Sequence, residues 1–351
     1  MESIPTQNTP PRPRFLRAVV AALLMSVITL LIWFLTSENA SSIGLAILIT
    51  TVVLALLNCL IWTLTRNAKR GGKIFFRIVA AVVSLVVLLS ATIYTFAPTQ
   101  LFYPHSDEES TQALAAYPNA EQLTIEADGR VVSGWMIHQV QGKAPLVLYF
   151  GGNGETAAKR VLRLIESGDI DAFAGCNFAY LDYPGYGLSS GNPDEASLKQ
   201  MGLAAYDALA ARDDVDENRI VLFGFSMGTG VANYVASCRA PVGLMLFAPY
   251  ADGYDLYNTM APIFYGPLRA LVAFKMESIL FAESIYIKPL VFSSVDDKVI
   301  PFASSERLSR AYPAGCYLEQ MQGLGRNDYW GSDAVLQRVS QYLAEVIDLG
   351  A

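Results

Sequence analysis

Ile220-Val221-Leu222-Phe223-Gly224-Phe225-Ser226-Met227-Gly228-Thr229-Gly230-Val231-Ala232-Asn233-Tyr234 is the stretch whose reading decides the fold of this chain. An apolar run ending in glycine reads as a buried strand, and the segment from Thr229 to Ser237 reads as a helix. Between them stands G-x-S-x-G, Gly224 to Gly228, in the strand, turn, helix context that gives the motif meaning. The turn is sharp, so small residues must flank the serine. The serine hydroxyl is thereby held above the sheet at a helix N-terminus, where partial positive charge favours an anion. Ser226 is the candidate nucleophile.

Outward from this elbow, short apolar strands, glycine turns and amphipathic helices alternate from about Gln100 onward, the pattern of a mostly parallel sheet flanked by helices. Glu121 to Ala127 and Val131 to His138 alternate apolar with polar residues around Asp128-Gly129, which predicts an antiparallel edge hairpin. Further strands are expected at Leu146 to Phe150, Asn177 to Asp182, Ile220 to Gly224, Val242 to Ala248, Leu290 to Val295 and Tyr317 to Met321. Helices are expected to start near Glu155, Asp194, Met227, Ala303 and Ser332.

With these elements in place the chain resembles the α/β hydrolases, in particular membrane-anchored serine-aminopeptidase-like and abhydrolase-domain proteins. The resemblance covers nearly everything from Leu101 to the C-terminus. It is carried by Leu148-Tyr149-Phe150-Gly151-Gly152-Asn153, by Asp182-Tyr183-Pro184-Gly185-Tyr186-Gly187-Leu188-Ser189-Ser190-Gly191, by the serine elbow and by Asp297-Lys298-Val299-Ile300-Pro301. Pro184 replaces an arginine usual in the family, and Gly151 a frequent histidine; neither change threatens the fold. The glycine-rich loop after its strand can bring the N–H of Gly152 or Asn153 beside the serine, with Met227 N–H as partner in an oxyanion hole. A simple tight turn is the alternative. The resemblance implies that the acid of the triad is Asp297, four residues before Pro301, with its neighbour Asp296 as register competitor.

The resemblance also implies a histidine after the last strand, where Gly-x-Gly-His is the pattern. This chain has Gly323-Leu324-Gly325-Arg326, placing Arg326 at the histidine's position. The chain has two histidines, His105 and His138, and both precede the serine, so neither is a natural substitute. A guanidinium stays protonated and has no acceptor lone pair, so it cannot take the Ser226 proton. The expectation is that Arg326 instead pairs with Asp297 and keeps the loop docked.

The 351 residues are 53% hydrophobic and 16% charged, with a mean hydropathy of +0.33, too apolar for an ordinary domain in water and pointing to membrane segments. Three apolar stretches, Phe15 to Leu35, Ile43 to Leu64 and Ile74 to Ala97, are each about the 20 residues needed to span a bilayer. A cleaved signal peptide is the alternative for the first. Residues 1–14 read as a disordered cytoplasmic tail, 15–97 as three transmembrane helices, and 98–351 as the hydrolase domain. Arg12, Arg14 and Arg17 precede or begin the first span, and Arg66, Lys69, Arg70, Lys73 and Arg77 lie around the start of the third. Basic loops stay cytoplasmic, so the N-terminus is expected inside and the hydrolase domain on the outer, periplasmic-type side of the bilayer.

Net charge is −7, and the basic residues cluster near the N-terminus while the rest are scattered, so no nucleic-acid surface is expected. The four cysteines have no metal-ligand spacing, so neither a metal nor a cofactor is expected. Between about 251 and 288 an insertion rich in Tyr254, Tyr257, Ile263, Phe264, Tyr265, Leu271, Phe274 and Phe281 is read as a short helical lid. It either walls the serine with apolar surface suited to acyl chains or simply packs helices onto the sheet. Two functions follow: a membrane-bound serine hydrolase of ester or amide substrates, possessing Ser226 and Asp297 but a base supplied from elsewhere, or a catalytically impaired hydrolase fold that binds a ligand. A transporter is disfavoured, because no charge lies across the central stretches of the spans.

Overall fold

The computed structural model describes residues 43–67, 70–260 and 262–347 and divides into two units, Met1–Ala97 and Pro98–Ala351. The first predicted span, the N-terminal tail and the extreme C-terminus lie outside the described residues.

In the first unit, α1 (Ile43–Leu64) and α2 (Arg70–Leu101) follow two of the predicted apolar stretches. Leu54, Leu57 and Ile61 pack against Ala80, Val87 and Leu88, and Asn58 Nδ2 donates to Ser84 Oγ at 2.9 Å. The Arg77 guanidinium lies 3.7 Å from the centre of the Trp62 ring. Other large apolar side chains, among them Ile74, Phe75, Ile78, Val82, Leu85, Val86 and Leu89, face outward. Among the described residues one helix, Arg70–Ala91, is long and apolar enough to cross a membrane, so the three-helix arrangement expected from the sequence is not established.

The second unit begins with α3 (Glu108–Ala115), its first turn capped by Asp107, whose carboxylate accepts the Ser110 N–H at 3.0 Å. Eight strands follow: β1 (Ala120–Ala127), β2 (Arg130–Ile137), β3 (Ala144–Phe150), β4 (Asn177–Leu181), β5 (Val215–Phe225), β6 (Gly243–Phe247), β7 (Leu290–Ser294) and β8 (Tyr317–Met321). They form one sheet in the order β1-β2-β4-β3-β5-β6-β7-β8. The β1–β2 and β2–β4 pairs are antiparallel, and all others are parallel. Each predicted strand is present. Central strands β3, β4, β6 and β7 are buried along their whole length, which is why they read as continuous apolar runs, whereas β1 buries only Leu123 and Ala127.

The connecting helices are α4 (Ala157–Ser167), α5 (Glu195–Ala210), α6 (Met227–Cys238), α7 (Gly253–Met260), α8 (Ser278–Ala282), α9 (Phe302–Ser309) and α10 (Asp333–Ile347). In α5 a reciprocal pair of side-chain bonds between Asp194 and Ser197 closes the first turn. The insertion contains α7, a 3₁₀ turn at Gly266–Leu271 and α8. Several of its aromatics pack inward, Tyr257 on Phe264, Phe274 on Phe102, and Phe281 on Tyr234, with ring centres 5.3 to 5.6 Å apart, whereas Tyr265 is exposed.

Candidate active site

Strand β5 delivers Ser226 to the start of α6 at φ 54° and ψ −115°, a left-handed conformation that costs a non-glycine residue about 1–3 kcal/mol. The packing around the turn enforces it. A Cβ on Gly224 would sit 2.6 Å from Thr229 Cα, and one on Gly228 would overlap the Phe150 carbonyl oxygen. Glycine at both positions therefore lets α6 press against β3 and β5. Ser226 N–H donates to the Phe247 carbonyl at 2.8 Å, while its own carbonyl accepts from Thr229 N–H and Thr229 Oγ1. The side chain is 2% exposed.

The loop after β3 runs beside the serine; a Cβ on Gly152 would lie 3.6 Å from Ser226 Cβ. Tyrosines fix this loop. Tyr183 Oη donates to the Gly151 carbonyl at 2.9 Å, and Tyr186 Oη donates to Asn153 Oδ1 at 2.9 Å, which also accepts Tyr103 N–H at 3.0 Å. Of the three expected oxyanion donors, Gly152 N–H is engaged: it donates to Glu155 Oε2 at 2.9 Å, an oxygen that also accepts from Tyr149 Oη. Glu155 Oε1 pairs with the Arg160 guanidinium. Met227, the first residue of α6, and Asn153, in the loop after β3, are the other two expected donors. Nothing in the sequence singles out Glu155 as a brace for this loop. The two tyrosines were legible only as members of the glycine-rich motif they interrupt.

Beyond β7, the two neighbouring aspartates behave differently. Asp296 is exposed, and its carboxylate accepts Gly323 N–H at 2.7 Å, bracing the next loop. Asp297 turns inward. Its Oδ1 accepts the N–H groups of Val299 and Ile300 at 2.7 and 3.0 Å, while its Oδ2 is buried with no hydrogen-bond partner. Such an unpaired buried carboxylate oxygen is an acceptor held ready for a donor.

Arg326 extends from the β8–α10 loop and donates through Nη2 to Ser226 Oγ. Its guanidinium also lies 5.8 Å from the centre of the Phe225 ring. The ion pair expected with Asp297 is not formed: among the described residues no carboxylate oxygen lies within 4.0 Å of Arg326. The guanidinium bonds to the serine instead, although Asp297 Oδ2 has no partner. Burial lowers the Arg326 pKa below its ordinary value, and the charge of Asp297 opposes that shift. The loop is docked by other means. Ser294 Oγ donates to the Leu324 carbonyl, and Tyr329 is buried against Phe247 and Phe292.

A cavity of about 980 Å³ is lined by Asn153, Phe225, Arg326 and Trp330 and, along α4, by Arg160 and Arg163; Arg326 and Phe225 bring it near the elbow, but Ser226 is not among its lining residues. No residue of the 251–288 insertion lines this cavity. His105 Nδ1 lies 3.2 Å from the Tyr103 carbonyl, and His138 Nε2 is 2.8 Å from Glu121 Oε2. Neither histidine bonds to Ser226. Glu121, His138 and Asp214 bring donor atoms within 4.8 Å of one another, but Arg212 binds both carboxylates and fills the place a cation would take.

No family model matches the chain. An uncharacterized protein of Mycobacterium tuberculosis, MT2364, is 30% identical over 277 residues, covering 77% of this chain and 96% of that one. The alpha/beta hydrolase domain-containing protein aho-3 of Caenorhabditis elegans is 29% identical over 168 residues, 48% of this chain and 49% of that one. The chain belongs to the α/β-hydrolase superfamily. Among solved structures, a Pyrococcus furiosus esterase, Pf2001, superposes with a TM-score of 0.55 at 15% identity over 70% of this chain and 98% of its own. Est1E of Butyrivibrio proteoclasticus, with ferulic acid bound, gives 0.54 at 17% over 64% and 99%. At these identities the two likenesses concern the α/β-hydrolase fold alone.

Proposed function

We propose that this α/β hydrolase is a membrane-anchored serine hydrolase of ester or amide bonds. In this reading Ser226 is the nucleophile, Asp297 the triad acid, and Met227 with Asn153 the oxyanion donors, while Arg326 stands where the base would be. The observation that carries the reading is Asp297 Oδ2, buried and unpaired on the side of the site where a base would be oriented. Arg326 donates to the serine and cannot deprotonate it, so the proton must leave by a group outside the chain's own triad. Apolar side chains facing outward on α2 support the anchor, and the lysine and arginine distribution supports a cytoplasmic N-terminus with the hydrolase domain outside.

A second reading, a fold that binds a ligand without turnover, is favoured by one contact, the Arg326 guanidinium on Ser226 Oγ. Labelling of the full chain in detergent by a fluorophosphonate probe, with Ser226→Ala as control, separates the two. Adduct on the Ser226 peptide supports the hydrolase. Its absence over long exposure, in a protein that melts cooperatively, leaves the binding reading.

A further inference from the structure

The proton's destination follows from what surrounds Arg326. Arginine offers five N–H donors, and among the described residues Arg326 uses one protein acceptor, Ser226 Oγ. It is half-buried, with no carboxylate within 4.0 Å, and it both bonds to Ser226 Oγ and lines the cavity. The carboxylates that share the cavity are placed otherwise. Glu155 is held by Arg160, Glu166 lies in the last turn of α4, and Asp169 lies beyond it. A cation fixed against the attacking oxygen and open to the cavity is a seat for an anion.

Resting on the hydrolase reading above, we infer that the substrates are half-esters or half-amides of dicarboxylic acids, whose free carboxylate docks on Arg326 and accepts the Ser226 proton. Arg326 is thus a positioning residue and a specificity determinant. Ser226 Oγ attacks the scissile carbonyl carbon, its proton passes to the docked carboxylate, and the carbonyl π pair becomes an oxyanion facing Met227 and Asn153 N–H. On collapse the bond to the leaving oxygen or nitrogen breaks, and that atom takes the proton from the carboxylic acid. The acyl-enzyme keeps its carboxylate. Water then attacks the acyl carbon, gives one proton to the carboxylate, and that proton returns to Ser226 Oγ as the diacid leaves. A carboxylate is a weak base, but held on the same substrate as the reacting carbonyl it acts at an effective concentration far above any buffer.

The test compares monoethyl glutarate with ethyl valerate, equal in acyl chain length and differing in the terminal carboxylate, on the full chain in detergent with Ser226→Ala as blank. The expected result is a kcat/KM at least about 100-fold higher for the half-ester, the scale of one positioned general base. The rate should follow ionisation of the substrate carboxylate and show no imidazole-like inflection. Arg326→Gln should lose the preference. Equal rates for the two esters, or faster turnover of ethyl valerate, overturn the inference while leaving the hydrolase reading intact. Turnover of neither, with no fluorophosphonate adduct on Ser226, overturns both.

Discussion

Arg326→His is the perturbation that tests the whole site. The substitution replaces a donor on Ser226 Oγ with an imidazole that can accept its proton, and Asp297 Oδ2 is already buried and unpaired to receive the ring's other N–H. A positioned general base contributes about 10²- to 10⁴-fold, which is about 2.7–5.4 kcal/mol of barrier at 1.36 kcal/mol per tenfold. The lower half of that range is expected, because an imidazole is shorter than an arginine side chain and the loop must close toward α6. Gly323, at φ 73°, permits some closure, whereas the Asp296 bond to Gly323 N–H and buried Tyr329 resist it. The assay is hydrolysis of ethyl valerate between pH 5 and 9 by the original chain, Arg326→His, Arg326→Gln and the double variant Arg326→His with Asp297→Asn. The expected outcome is a gain of about 10²- to 10³-fold in kcat/KM for Arg326→His, with a new inflection near the ordinary imidazole pKa of about 6.5. Most of the gain should vanish in the double variant, and Arg326→Gln should show none. If Arg326→His melts like the original chain yet gains nothing, the idea that this position differs from a working triad only in its base is wrong.

Gly228→Ala should be among the most damaging single substitutions, costing about 3 kcal/mol or more, since the new Cβ overlaps the Phe150 carbonyl and lies 2.6 Å from that of Gly151; an unchanged melting temperature would show that β3 and α6 are not in rigid contact. Asp182 is buried, and burial pushes its folded-state pKa up to about 7 from 3.8, so between those values the folded chain holds a proton that the unfolded chain has released. Its contribution to stability therefore rises as pH falls from about 7 toward 4. Asp182→Asn, which keeps an acceptor for Ala157 N–H, should flatten that slope in urea unfolding at pH 5 and pH 8, and an identical slope would exclude Asp182 as its source. Cys238 is exposed on the hydrolase domain, so under the proposed outer placement a variant retaining it as the sole cysteine should react with a membrane-impermeant maleimide in intact cells; reaction only after lysis would put the domain inside.

Most of the fold was legible because the signals were local. Continuous apolar runs gave β3, β4, β6 and β7, Asp128-Gly129 gave the β1–β2 turn, and the glycines around Ser226 gave the elbow. What escaped depends on long-range placement. Arg160 and Arg163 lie three residues apart on α4, a spacing that says they share a face but not that the face looks onto the cavity that Arg326 lines. Glu155 could be read as a helix start but not as the acceptor for Gly152 N–H. The Arg326–Asp297 pair was expected by analogy with a histidine's reach. The guanidinium bonds to Ser226 instead.

Retention of the elbow is weak evidence for activity, because the fold itself demands it. Gly224 and Gly228 are needed for α6 to pack on β3 and β5 whatever Ser226 does, and the backbone at Ser226 is bent by the same packing. Asp297 is a different case. Its Oδ1 already satisfies the turn at Val299 and Ile300, and an asparagine there could serve that turn without carrying a charge. Leaving Oδ2 buried and unpaired costs stability, on the order of 1–3 kcal/mol for such a group. Nothing in the packing of the β7–α9 turn repays that cost. The charge does have one effect on the page, since it favours the protonated guanidinium of Arg326 against the desolvation that opposes it. Asp297→Asn should therefore leave the β7–α9 turn in place, and a melting temperature equal to or above that of the original chain would show that the fold does not depend on the charge.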